Sequence, residues 1–411
     1  MKHLKVMVLL VFVAAVVSPW MFTRSVEGQG PTEAPTTDMD ARTDDLNNGL
    51  STPADFVANK TTFEEVEDLG DGLGPLYNAT SCVSCHQSPD TGAGSQINEF
   101  RAGHLDGAGN FVDAPGGSLI NDRAIASVIQ ERVSTADPIH AFRMSLSTLG
   151  DGFVECIDSN ALIANVNAQP AGQRGTLISV PVNEASNVAR TGRFGWKDQH
   201  ASLISFSADA YLNEMGITSP LQPTENTSNG NSVAAFDGVA DPEDHVGPGA
   251  PNGVDVLAFA TFMRATRAPG RGAITAQVNT GDSLFTQIGC AVCHTRTFTT
   301  APAGTVINNG AFTVPAALGN KNIHPFSDFA LHDVGTGDGI VQNGGQATAN
   351  KLRTAPLWGI RARIRLLHDG SAFTVNDAIL AHFGQANPSV NNYINLSTAN
   401  KQALIAFVLS L

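Results

Sequence analysis

Two pentapeptides constrain this chain more than anything else in it: Cys82-Val83-Ser84-Cys85-His86 and Cys290-Ala291-Val292-Cys293-His294. Both read C-x-x-C-H, and chemistry explains the spacing. Two thiols about a helical turn apart can add across the two vinyl groups of one porphyrin, and the adjacent imidazole then lies under the iron as its proximal ligand. With 5 cysteines and 11 histidines in 411 residues, such a pentapeptide is expected by chance roughly 0.0016 times. It occurs twice. A four-cysteine zinc site would also use two C-x-x-C pairs, but these stand far apart in the chain and each ends in His. A thioredoxin-like dithiol wants a βαβ surround that is not seen here. The motifs therefore predict two covalently bound haem c groups, on Cys82 and Cys85 and on Cys290 and Cys293, with His86 and His294 as iron ligands.

A chain of this length suits two or three domains and can bury cores around two large apolar cofactors. Cys156 is the one cysteine outside the motifs, so no disulfide framework forms within one chain, and a lone buried thiol is the plain reading. The net charge of −14 argues against nucleic acid, which wants basic patches. It fits a solvated acidic surface, and equally a soluble redox partner with a basic face.

The start, Lys2 and Lys5 followed by the apolar run Val6 to Val17, reads as an export signal. Residues 1–27 are thus a signal peptide, or an N-terminal anchor if uncut, and the location is periplasmic. Residues 28–52, rich in Pro, Thr, Asp and Asn, read as a disordered tether. Next, Thr280 to Gly289 reads as a helix feeding Cys290, and Ser397 or Thr398 caps a last helix with Leu404, Ile405, Val408 and Leu411 on one stripe. Residues 271–411 are therefore one complete cytochrome c unit for electron transfer. Val254, Leu257, Ala258, Thr261 and Phe262 mark the closing helix of the other, catalytic unit, residues 53–270, enlarged by insertions such as Leu221 to Gly253. No sustained period-2 run is seen. The expected fold is mainly α, two cytochrome c-like haem domains.

The sixth iron position decides function, because Met or His there makes a carrier while an open site activates peroxide. The last methionine is Met263. That leaves His324, His332, His368 and His382 for the second haem. For the first haem the candidates are Met144, Met215, Met263, His104, His140, His200 and His245.

The stretches Arg353-Thr354-Ala355-Pro356-Leu357-Trp358-Gly359, Leu367-His368-Asp369-Gly370 and Asp377-Ala378-Ile379-Leu380-Ala381-His382 resemble the di-haem cytochrome c peroxidase superfamily, closest to its di-haem oxidoreductase (thiol oxidoreductase) branch. Phe326 to Gly335 and Gly192 to Lys197 fit the same branch, and the resemblance runs from about Leu69 to Leu411. It implies a peroxidase-like enzyme in which a peroxide or other small oxidant reacts at the first haem, fed by a soluble electron-donor protein through the second. His382 stands where the peroxidases carry an axial Met, implying a bis-His second haem. His104 is the loop His that can close the first haem at rest. The stretch Arg143 to Ile157 implies Glu155 as the catalytic group that takes and returns a proton. Trp196 is the candidate electron relay between the haems. Arg361, Arg363 and Arg365 are candidates for the haem propionates. The resemblance also implies a calcium ion between the domains, with no ligands assignable. The alternative is a di-haem electron carrier with both irons six-coordinate and no catalytic site.

Overall fold

Helix capping and one glycine set up the second half of the chain. The structure, a computed structural model, describes residues 30–43, 45–241 and 251–411. Among these, helices α1 (Pro53–Glu64), α2 (Asp151–Glu155), α3 (Ser159–Ala168), α4 (Leu203–Met215) and α5 (Val254–Ala265) precede residue 270. Helices α6 (Ala276–Gln287), α7 (Val375–Ala381), α8 (Asn387–Ile394) and α9 (Thr398–Val408) follow it. The side chain of Thr275 accepts from the Val278 N–H, so α6 starts a turn earlier than the expected Thr280; Ser397 caps α9 by accepting from Asn400 N–H. The two helices cross, burying Val278, Leu284 and Phe285 against Ala403, Leu404, Phe407 and Val408. Gly281 makes the crossing close, since a Cβ there would sit 2.0 Å from the Ala403 carbonyl oxygen. Gly281→Ala should cost about 1–3 kcal/mol, despite the roughly 1 kcal/mol that Ala gains over Gly in a helix. Urea unfolding measures it, and an unchanged midpoint would show that the crossing has slack.

The expectation of a mainly α protein is overturned: 31% of the structure is helical and 17% is strand, in several small sheets. The largest pairs Asn98–Leu105 with Phe111–Asp113, Leu119–Ile120 and Ile139–Met144. It lacks an obvious alternation because its buried positions include Arg101 and Arg143, with Glu99 directly across from Arg143. Other strands, at two to four residues, are too short to show any period.

In α5 the buried residues are Val256, Phe259, Ala260, Phe262, Met263, Arg264 and Ala265, while Val254 is exposed. The inward face is thus shifted from the expected stripe. The tether over 28–52 is also corrected. Thr32–Glu33 pairs in parallel with the Lys321–Ile323 strand, and Thr36–Thr37 with Ala268–Pro269. Met39 and Leu46 are buried, and Arg361 holds Asp40 at 2.5 Å. The segment is a strap, and its polar composition hid two apolar anchors. Thr52 ends it by capping α1. The export-signal segment lies outside the described residues.

Residues 31–411 form one compact unit. One core cluster joins Phe56, Phe153 and Phe262 to Phe298, Ile323 and Phe329, so the boundary expected at 270 does not separate two cores. A second cluster belongs to α6, α7 and α9.

Candidate functional site

Both motifs are built by the same local device, a 3-10 turn that brings the two cysteines together and ends at the histidine. In the first, Ser81 accepts from the Ser84 N–H and the His86 N–H donates to the Cys82 carbonyl at 3.0 Å. Burial presses the His86 imidazole down to about 4, so it is neutral, the form that binds iron. Its Nδ1 is buried with no hydrogen-bond partner.

The Cys82, Cys85 and His86 side chains line a cavity of about 690 Å³, within the usual range of roughly 300–1,000 Å³ for a small-molecule or cofactor pocket. Two of its guanidinium groups are oriented for an anion. Arg143, 1% exposed, donates from Nε to Asp338 at 2.7 Å and from Nη1 to Gln342, yet its Nη2 is buried and unpartnered. Arg363 donates Nη1 to the Ser145 carbonyl at 3.1 Å and leaves Nη2 buried and unpartnered. Both line the cavity. Orphaned donors beside a tethering motif fit a haem, whose two propionates would complete them. Of the three arginines expected in this role, Arg363 alone lines the cavity. Arg361 is committed to Asp38, Asp40 and the Gly270 carbonyl, and Arg365 lies over Phe373.

At the second motif, His294 donates from Nδ1 to the Phe326 carbonyl at 2.9 Å, and burial again holds the ring down at about 4. The lone pair then sits on Nε2, as iron ligation requires. His382 is arranged the same way, with Nδ1 2.6 Å from the Ala378 carbonyl, a buried ring lowered from its ordinary value, and a position near enough to disfavour a cation at His294. Two of the competing histidines are otherwise engaged, while His368 keeps a buried Nδ1 without a hydrogen-bond partner. His332 has Nε2 on Asp328 at 2.8 Å and Nδ1 at 3.7 Å from the Cys293 sulfur. His324 binds Thr297 and Glu33 near the surface, and His368 stands edge-on to Trp196. Cys293, Asp328 and His332 are also the His/Cys/Asp/Glu group close enough to hold an ion among the described residues. That mixed sulfur and nitrogen set suits softer metals, not calcium, which takes six to eight oxygens.

Glu155 is not where the chemistry expected it. It is absent from the cavity lining and fully buried, with Arg264 Nε on Oε2 at 2.6 Å and Arg264 Nη2 on Oε1 at 2.9 Å. Leu203 N–H and the Asn308 amide also donate to Oε1, each at 3.0 Å. Burial favours its neutral form, but Arg264 outweighs this and holds the carboxyl below its usual range. Glu155 is an anchor between α2, α5 and the start of α4. His104 is likewise displaced: it lies on the Asn98–Leu105 strand, bound to Asp137, outside the cavity wall. His140 is exposed and His200 is held by Asp209, while His245 lies outside the described residues. Met144, Met215 and Met263 do line the cavity.

Trp196 also lines it, donating Nε1 to the Met144 carbonyl at 2.8 Å. Sequence reasoning passed over Trp358. Buried at 6% exposure, it lines the large cavity and also a small pocket shared with Phe326, whose carbonyl takes the His294 proton. The available signal was its place in the Arg353 to Gly359 stretch. Also missed were the cavity carboxyls. Asp151, at the start of the same α2 that carries Glu155, is pushed up to about 7 by burial. Glu214 on α4 is raised by burial and by Glu99, whereas Glu99 is held low by Arg101 and Arg143.

No curated protein matches the chain. Among solved structures it is similar to the Kuenenia stuttgartiensis hydrazine synthase, at 14% identity and TM-score 0.42 over 100% of both chains. A MauG-like protein associated with microbial copper homeostasis gives 15% and 0.40, with 95% of each chain covered. The diheme peroxidase BthA from Burkholderia thailandensis gives 14% and 0.39, covering 93% of this chain and 94% of that one. Likeness at this level carries no argument about activity. The family comparison does: residues 118–411, well over half of the chain, match the model described as "Di-haem oxidoreductase, putative peroxidase", and the chain belongs to that family of peroxidase-type oxidoreductases.

Proposed function

We propose that this enzyme is a periplasmic reductase of peroxide or a similar small oxidant, with the oxidant bound in the cavity beside His86 and electrons entering on the His294 side. One observation carries the reading. The first motif opens on a cavity of about 690 Å³ whose lining includes the carboxyls of Glu99, Asp151 and Glu214, whereas a second imidazole, His382, lies near enough to His294 to disfavour a cation there. One site has room for a substrate and the other resembles a closed carrier. Haem c at both motifs would supply the redox chemistry. Arg143 and Arg363 would hold the first haem by its carboxylates, and His382 would be the sixth ligand of the second. Trp358, which borders both the cavity and the Phe326 pocket, replaces Trp196 as the better-placed aromatic for electron passage. The export signal read at residues 2–17 supports the periplasmic location, and the acidic surface suits a donor protein with a basic face.

Mass spectrometry of denatured mature protein should show two haem additions that survive unfolding, one on each motif peptide. With those in place, the purified enzyme should consume peroxide when supplied with a reduced soluble cytochrome. Two additions with no oxidant turnover and a first haem closed by a protein ligand would instead make the protein an electron carrier.

A further inference from the structure

With Glu155 committed to Arg264, the cavity needs another group to manage protons, and one wall supplies it. On α4, Ser207, Tyr211 and Glu214 line the cavity at helical spacing. The Ser207 hydroxyl is buried and unpartnered. Opposite, the Asn98–Leu105 strand contributes Asn98, whose amide oxygen is also buried and unpartnered, and Glu99. Buried polar atoms without partners, on residues that wall a cavity, mark a place for water or a small oxygen ligand. The Glu214 carboxylate oxygen Oε2 accepts from the Asn78 amide at 2.8 Å, and the Glu214 backbone carbonyl accepts the Asn78 and Ala79 N–H groups. The carboxyl is thereby tied to the segment that leads into Cys82. Exposed Asp122, Arg123 and Arg132 line the same cavity and form its mouth.

We infer that Glu214 is the general acid and base of this cavity, with Glu99 as its positioning partner and the Asp122–Arg132 side as its proton inlet. The inference rests on the oxidant-reductase reading above. The two carboxyls are pushed apart by their surroundings. Glu99 is bound by Arg101 at 2.6 and 3.3 Å and lies 3.7 Å from Arg143. Glu214 faces Glu99, Asp209 and Arg101, with Asn78 as its hydrogen-bond donor and Asp209 itself held by His200. Burial and the Glu99 charge together raise Glu214, so it keeps its proton while Glu99 stays ionised. Both charges are felt at the Cys85 sulfur, whereas Asp151 lies on α2 next to Gly150, which packs on Trp358.

The step balances as a two-electron reduction. Glu214 gives its proton to the departing oxygen of the peroxide as the O–O bond breaks, and water leaves. Its carboxylate then recovers a proton from solvent through the mouth, and the oxygen left behind takes a second proton by the same route. The two electrons come from the donor protein.

Glu214→Gln should lower peroxide kcat/KM by about 100-fold or more, with two haem additions and normal imidazole binding retained. It should also remove the limb of the pH profile assigned to this carboxyl, and Glu214→Asp should restore part of the rate. Glu99→Gln should shift that limb to lower pH, because the like charge is gone. A wild-type enzyme that does not turn over peroxide sinks the functional reading and this inference with it. An active wild type whose rate and pH limb survive Glu214→Gln sinks the inference alone, as does finding that Asp151→Asn removes the limb instead.

Discussion

Glu155→Gln should destabilise the fold by about 3–5 kcal/mol, because it strips the charge from a buried ion pair and leaves the Arg264 guanidinium uncompensated. Four hydrogen bonds converge on this carboxylate from Arg264, Leu203 and Asn308, and Arg264 also stacks over Phe312 at 4.0 Å. A typical domain is stable by only ~5–15 kcal/mol, so the variant loses a large fraction of that. Chemical denaturation should show the midpoint drop before any effect on turnover is interpreted. Removing both partners, as in Glu155→Gln with Arg264→Met, should cost less than the sum of the single changes. The sign with pH follows from the depressed carboxyl. Its contribution is fully present above the unfolded value, about 4.3, and is lost as pH falls through the lower folded value. A variant with an unchanged midpoint and lost turnover would return Glu155 to the chemistry.

His382→Ala should abolish the low-spin bis-imidazole EPR signal expected of the oxidised second haem and open a position that takes up added imidazole. The geometry behind this is the shared Nδ1-to-carbonyl arrangement of His294 and His382, which presents two Nε2 lone pairs in one neighbourhood. Burial lowers both imidazoles, which favours the neutral, lone-pair-bearing form at each. His382→Met should raise the potential of that haem, since a thioether favours ferrous iron more than an imidazole does. His332→Ala is the control. Its ring is held by Asp328 and lies against Cys293, so the EPR signal should persist. If it disappears there and survives His382→Ala, the ligand lies in the Leu331–His332 strand.

What could be read from residues alone was whatever has a local cause. The motifs mark two haem sites within five positions each, and Ser397 with the apolar stripe of α9 marks the last helix, whereas the cap of α6 at Thr275 lay a turn before the start expected at Thr280. Glu155 failed for the opposite reason. The partner that claims it, Arg264, is 109 positions away, and a buried carboxylate in a salt bridge looks in sequence like one in an active site. Asp151, four residues earlier on α2, faces the cavity instead, and nothing in Asp151-Gly152-Phe153-Val154-Glu155 says which of the two turns inward. The small sheets were hidden because their pairings are short, and because Glu99, Arg101 and Arg143 give the largest one a charged surface. The strap was hidden because its partner strands lie more than two hundred positions later.

That last separation has a consequence for how the enzyme is made. Lys321 meets Thr32 across 289 positions, and Met39, Trp358, Gly359 and Arg363 wall the same cavity as Cys82 and His86. A chain emerging from its N-terminal side exposes Cys82 and Cys85 long before the far wall of their chamber has arrived. A haem bound at that stage would meet an open half-shell, and contacts of such long range close slowly. The chamber shuts over its contents only when the last third of the polypeptide docks, and the beginning of the chain is stitched down at the end.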